Sequence, residues 1–174
     1  MLLYLVKFSR PDISNAVREL SKVMDGVTPA HVKDMLRTIK FVMDTYQRVL
    51  NFDLKERGGS QWALKAFSDS DWAGAKDDRR SITGYCIYLN GCLISWKSRG
   101  QKHVTLLSTE AEYVAVSETC TDIMFIKMIM GFLELKVERP IKVYCDNVDI
   151  ITKNFSKETH KRHSEKFMMD VESI

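Results

Sequence analysis

Three acidic residues stand where a folded chain could hold metal. Asp69 closes the apolar run WALKAFSD, Asp146 closes IKVYCD, and Glu112 lies at the start of the long, mostly apolar stretch that opens STEAEYVAVSE. A carboxylate at the end of a buried strand, or in the first turn of a buried helix, loses solvation that apolar neighbours do not replace, and a cation is the usual compensation. If the two runs are adjacent parallel strands, their carboxyl ends share an edge, and a helix packed across them can bring its first turn to the same place. Hard oxygen ligands gathered in this way suit Mg²⁺, and two ions about 3.5–4 Å apart stabilise the attacking and leaving oxygens of phosphodiester hydrolysis.

Each acid also has a structural use. Thr109 and Glu112 have capping-box spacing, and Asp146 can cap the helical pattern that follows it. Asp71 would point the same way as Asp69 if the strand continued. Glu110 neighbours Glu112, but two residues on a helix are about 200° apart, so only one of them can face the site.

The elements that must position these acids follow from periodicity. Trp62 begins a strand pattern over residues 62–69, and residues 82–89 and 92–97 flank Asn90-Gly91, a dipeptide that tolerates the positive φ angles of a type I′ hairpin turn. A basic loop over 97–104 leads to a helix that Ser108 or Thr109 can cap and Gly131 can end. Beyond Thr121 this helix is apolar on nearly every side, which predicts a buried end. A fourth strand covers 141–145, followed by helical patterns after Asp146 and from Ser164 onward.

Ahead of this unit lie two amphipathic helices. One spans residues 10–24 with Pro11 in its first turn, and the other is capped by Thr28 with Pro29 at its first position and runs to about Thr45. Val49 to Leu54 reads as a short strand and ERGGSQ as a linker or tight turn, which sets a domain boundary between a helical segment, 1–57, and an α/β unit, 58–174.

Composition narrows the class. The chain has 174 residues, 45% hydrophobic and 28% charged, which suits a globular protein with a core of its own. No apolar run reaches the roughly 20 residues a membrane span needs, and no secretion signal opens the chain. Cys86, Cys92, Cys120 and Cys145 occur singly, as reduced core thiols of an intracellular protein do. A net charge of +3 decides nothing about nucleic acid. Clustering says more: Lys97, Arg99, Lys102 and His103 form one basic group, and Lys157, His160, Lys161, Arg162, His163 and Lys166 a second, either of which could be a solvated surface.

The ordered segments SDSDWAGAKDDRRSITGY, ISWKSRGQ, LLSTEAEYVAVSE and IKVYCDN resemble the ribonuclease H domain of Ty1/copia-type retrotransposon polyproteins. SRPDISNAV and the helix after it resemble the segment that joins the polymerase to that domain. The resemblance implies an α/β, ribonuclease H-like fold, a mixed sheet with helices on both faces, preceded by the small helical segment. It implies cleavage of the RNA strand of an RNA–DNA hybrid by two Mg²⁺ ions, with Mn²⁺ as a possible substitute. Asp69 would bridge the ions, and Glu112 and Asp146 would each hold one. Ser70 and Asn147 would touch substrate, while Lys97, Arg99 and Lys102 would hold phosphates. Its implied partners are the hybrid and the reverse-transcriptase portion of the same polyprotein, with no membrane, in a cytoplasmic virus-like particle or the nucleus.

The match departs from the family at one point. Family members continue past a fifth strand to an alanine-aspartate motif bearing a fourth acidic ligand, and no such motif precedes Ile174. His163 and Glu165 resemble the histidine-x-aspartate before that strand, and Asp170 is the late aspartate available as a substitute. The expectation is therefore a domain lacking its final strand and helix. The alternatives are a truncated or decayed fragment that keeps the fold and nucleic-acid binding without catalysis, and a binding module whose acids are caps.

Overall fold

The computed structural model describes residues 1–52, 61–74 and 79–146. Their centre is a four-stranded mixed sheet of β1 (Leu64–Asp71), β2 (Ile82–Leu89), β3 (Cys92–Gly100) and β4 (Lys142–Tyr144), in the order β3-β2-β1-β4. β1–β2 and β2–β3 are antiparallel, while β4 lies parallel to β1. The chain is thus α/β, with the parallel pair that the two acid-terminated runs require.

Alternation sorts the side chains. Leu64, Ala66 and Ser68 of β1 are buried, and their β2 partners Leu89, Ile87 and Tyr85 share that face. Across it packs the long helix α4 (Ser108–Phe132), adding Ile123 and Met130 to the core. Two polar features lie beneath the helix. The Tyr85 hydroxyl donates to Asp122, and Thr119 meets Ser68 at 3.1 Å. The Asn90-Gly91 turn has φ of 47° and 82°, as predicted, and Asn90 accepts the Ala63 amide at 2.7 Å, tying the hairpin to the start of β1.

The other face meets the N-terminal helices α1 (Leu2–Phe8) and α2 (Ser14–Lys22), and α3 (Pro29–Asp44) packs on α2. Trp96 of β3 donates from its indole to the Val6 carbonyl at 2.7 Å, and Arg18 of α2 reaches Ser98 at 3.3 Å. Helices therefore cover both faces. Thr28 caps α3, accepting the His31 amide at 3.4 Å while its own amide donates to His31 Nδ1 at 3.2 Å.

Several boundaries differ from the periodicity. Residues 10–24 divide into a 3₁₀ turn at Pro11–Ile13 and α2, and α1 was not anticipated. Residues 49–52 form no strand. β3 runs on to Gly100 because its ladder with β2 continues to Ile82, so Lys97 and Arg99 are strand residues rather than loop residues. α4 passes through Gly131, and the positive φ that follows the helix falls at Glu134. Its second half is not a buried end: Met124, Phe125, Met128 and Phe132 are exposed, because the sheet covers only one side of the helix. The 57/58 boundary, the helices expected after Asp146 and from Ser164, the second basic group, Asn147, His163, Glu165 and Asp170 lie outside the described residues.

Ile87 is fully buried in the core, whereas Phe132 is 88% exposed. Ile87→Ala should cost about 2–5 kcal/mol in urea unfolding, and Phe132→Ala within about 0.5 kcal/mol. Equal losses would show that α4 does not lie on the sheet as described.

Candidate metal centre

The site begins with an unpaired stretch of backbone. β4 ends opposite Phe67, so among the described residues the β4 side of β1 has no strand partner beyond that point. There the Ser70 amide donates to Glu112 Oε1 at 3.2 Å. α4 begins after Leu107 with no side-chain cap, so neither Ser108 nor Thr109 caps it and Glu112 completes no capping box. Glu110 instead turns outward and accepts the Leu106 amide at 2.9 Å. Glu112, about 200° round the helix, faces the sheet, and is only 6% exposed.

Other contacts fix the first turns of α4. Buried Gln101 donates to the Ala111 carbonyl at 2.8 Å and to Thr83 Oγ1 at 3.2 Å, linking the helix to β2. The hydroxyls of Ser81 and Thr105 pair at 2.7 Å, and Trp72 donates to the Thr105 carbonyl at 3.3 Å. The loop before α4 is therefore tied to the end of the sheet from several sides.

From β4 comes the second group of donors. Cys145 Sγ lies 3.6 Å from Glu112 Oε2, and ligand atoms of Glu112, Cys145 and Asp146 all fall within 4.8 Å of one another. Glu112 is buried, Cys145 half-buried and Asp146 exposed, so the group opens to solvent on one side. Burial raises the Glu112 carboxyl above its ordinary pKa; contacts with Ser70 and Cys145 oppose that shift, and the charge of Asp69 adds to it. The Ser70 hydroxyl is also buried and has no partner at hydrogen-bonding geometry among the described residues. A poorly compensated carboxylate, a second carboxylate, a thiol and a buried hydroxyl at one edge fit a divalent cation.

Asp69 does not join that group at 4.8 Å. Its partner across the ladder is Gly84, and alternation puts it on the face away from α4, exposed and beside the cleft floored by Phe67 and Trp96. β1 does continue to Asp71, on that same face. The Asp71 carboxylate folds over Gly74, where even a Cβ would collide with it.

The basic residues divide as well. Lys97 and Arg99 face α4: Lys97 Nζ lies 5.6 Å from the centre of the Tyr85 ring, and Arg99 pairs with Glu118 at 3.4 Å. Lys102 and His103 are exposed in the turn after β3, at the same end of the sheet as Asp71. Two polar contributors went unread in the sequence. Gln101 carried no signal beyond lying next to a basic residue. Cys145 reads as a core thiol in the sequence because it occurs singly, but β4 stops at Tyr144, so strand alternation does not keep Cys145 and Asp146 apart.

No protein-family model and no solved structure matches the chain. Curated proteins do. It is 40% identical over 146 residues to the retrovirus-related Pol polyprotein from transposon RE1 of Arabidopsis thaliana, covering 84% of this chain and 10% of that one. It is 33% identical to the Pol polyprotein from transposon TNT 1-94 of Nicotiana tabacum, over 99% of this chain and 13% of that one. The chain is homologous to part of the retrovirus-related Pol polyproteins of transposons. It spans about a tenth of the length of these Pol relatives. A shorter relative, secreted RxLR effector protein 161 of Plasmopara viticola, is 37% identical over 72% of this chain and 85% of its own length. Among the described residues of the chain, no helix is long and apolar enough to cross a membrane.

The raised Glu112 pKa has a definite sign for stability. The folded state holds the proton more tightly than the unfolded state, so stability declines as pH rises from the ordinary carboxylate value through the folded one. Glu112→Gln keeps an acceptor for Ser70 and removes that decline. In chelator-containing buffer it should therefore unfold in urea at an equal or higher concentration than wild type at neutral pH, and the advantage should vanish in acid. A lower midpoint at neutral pH would mean that the buried charge is well compensated.

Proposed function

We propose that this part of the Pol polyprotein is its ribonuclease H, hydrolysing the RNA strand of RNA–DNA hybrids with metal held by Asp69, Glu112 and Asp146. The reading is carried by one observation: buried Glu112 and exposed Asp146 converge at the carboxyl edge of the parallel pair β1–β4. Asp69 lies near the same end of β1, on the face away from α4, and its charge bears on that of Glu112.

Bound Mg²⁺, or Mn²⁺ in its place, supplies the Lewis acidity and lowered pKa of water that phosphodiester hydrolysis needs. The chain's own part is to hold the ligands in place, with Glu112 alone buried away from bulk water. Ser70 fixes one Glu112 oxygen and leaves the other turned toward Cys145 and Asp146. Asp146, open to solvent, leaves a path for the scissile phosphate. Lys102 meets the backbone of the hybrid first, and Lys97 and Arg99 follow if their contacts with Tyr85 and Glu118 are exchanged for phosphates. Such contacts position the duplex without reading its sequence. Ser70 and Asn147 lie next to two of the acids in sequence, and 2′-hydroxyls in the wide minor groove of the hybrid would be their targets, since those groups distinguish RNA from DNA. The reverse-transcriptase portion of the polyprotein is the partner that makes the hybrid.

The test is Mg²⁺-dependent cleavage of a labelled RNA–DNA hybrid by this chain, by Asp146→Asn, and by a version extended through downstream polyprotein sequence. Altering even an outer-shell partner of a metal costs about 10–100-fold, so loss of a direct ligand should reduce cleavage by at least about 100-fold. Activity confined to the extended version would preserve the site and assign a missing group to the added residues. If folded chains of both lengths fail to cut, the catalytic reading falls, leaving a fragment that retains the fold.

A further inference from the structure

We infer that Cys145 makes this edge a site for soft divalent metals, binding Zn²⁺ or Cd²⁺ through its sulfur together with Glu112 and Asp146. The inference rests on the placement of the metal at Glu112 and Asp146 proposed above, and adds a ligand that ribonuclease chemistry does not need.

Three observations carry it. The donors come from separate elements, Glu112 from α4 and the Cys145–Asp146 pair from the end of β4, yet their ligand atoms lie within 4.8 Å of one another. Such mutual distances are compatible with one ion, given metal–oxygen bonds of about 2.0–2.2 Å and zinc–sulfur bonds of about 2.3 Å. Sγ is already directed at the carboxylate, 3.6 Å from Oε2. And the buried Ser70 hydroxyl lies against the same Glu112 carboxylate.

Ligand softness then sets the choice of metal. Two carboxylates alone suit Mg²⁺, but a thiolate favours Zn²⁺ and Cd²⁺ strongly over it. On binding, the sulfur–metal bond forms and the thiol proton passes to solvent, one per site. An ion held in this way occupies Glu112 and Asp146 and excludes Mg²⁺ from both. The other three cysteines do not contribute, since none of them joins the group.

The reduced, metal-free chain is titrated with Cd²⁺, following the ultraviolet charge-transfer absorption of the thiolate–cadmium bond. We expect a band that saturates at one equivalent, is lost in Cys145→Ser and Cys145→Ala, and persists in Cys92→Ser and Cys120→Ser. Glu112→Gln, which leaves every thiol in place, should weaken Cd²⁺ by at least about tenfold. The inference is overturned if the band survives in both Cys145 variants, if it is absent from wild type that circular dichroism shows to be folded, or if Glu112→Gln leaves the affinity unchanged. The readout is coordination rather than turnover. A chain that binds Cd²⁺ in this way but never cuts a hybrid refutes the ribonuclease reading alone, and one that cuts without the Cd²⁺ band refutes the thiol alone.

Discussion

The contact between the Glu112 carboxylate and the Ser70 amide joins the two halves of the structure that matter for chemistry. Ser70 belongs to the part of β1 that has outrun its parallel neighbour, so its amide would otherwise be an unpaired donor at a buried edge. A hydrogen bond to a charged group contributes about 1.5–3 kcal/mol, while a buried donor left alone costs about 1–3 kcal/mol. Both terms fix how far α4 is advanced along the sheet. A different register of β1 would turn the other face of the strand toward α4 and leave the carboxylate without this partner.

That single bond does not neutralise the acid. Glu112 remains buried, its proton held more tightly than usual, with a thiol and two aspartates in its surroundings. The rest of the edge is built around this imbalance: Gln101 and the Ser81–Thr105 pair hold the loop that feeds α4, and the Asn90 turn anchors the far end of the strands. A carboxylate already stripped of water gives up little more on meeting a counterion.

Much of this was readable from residue order. The Asn90-Gly91 hairpin and the Thr28–Pro29 helix start follow from local rules, because each depends on neighbours within a few positions. The exceptions depend on distant partners. Glu112 has capping-box spacing with Thr109, and only the unpaired Ser70 amide, 42 residues earlier, draws it inward. Lys97 and Arg99 read as loop residues because the length of β3 is set by its ladder with β2. The apolar second half of α4 predicted burial, but its composition carries no information on how wide the sheet beneath it would be.

β4 touches β1 through three residue pairs, Lys65–Lys142, Ala66–Val143 and Phe67–Tyr144, whereas the β1–β2 ladder has eight. Short segments with few ladder bonds open locally at a lower free energy than the core they flank. Glu112 and Ser70 lie on the firmly held side of that seam, and Cys145 and Asp146 on the side that parts first. An ion shared across the seam would thus act as a clasp, and its affinity would include the free energy of keeping the edge strand closed.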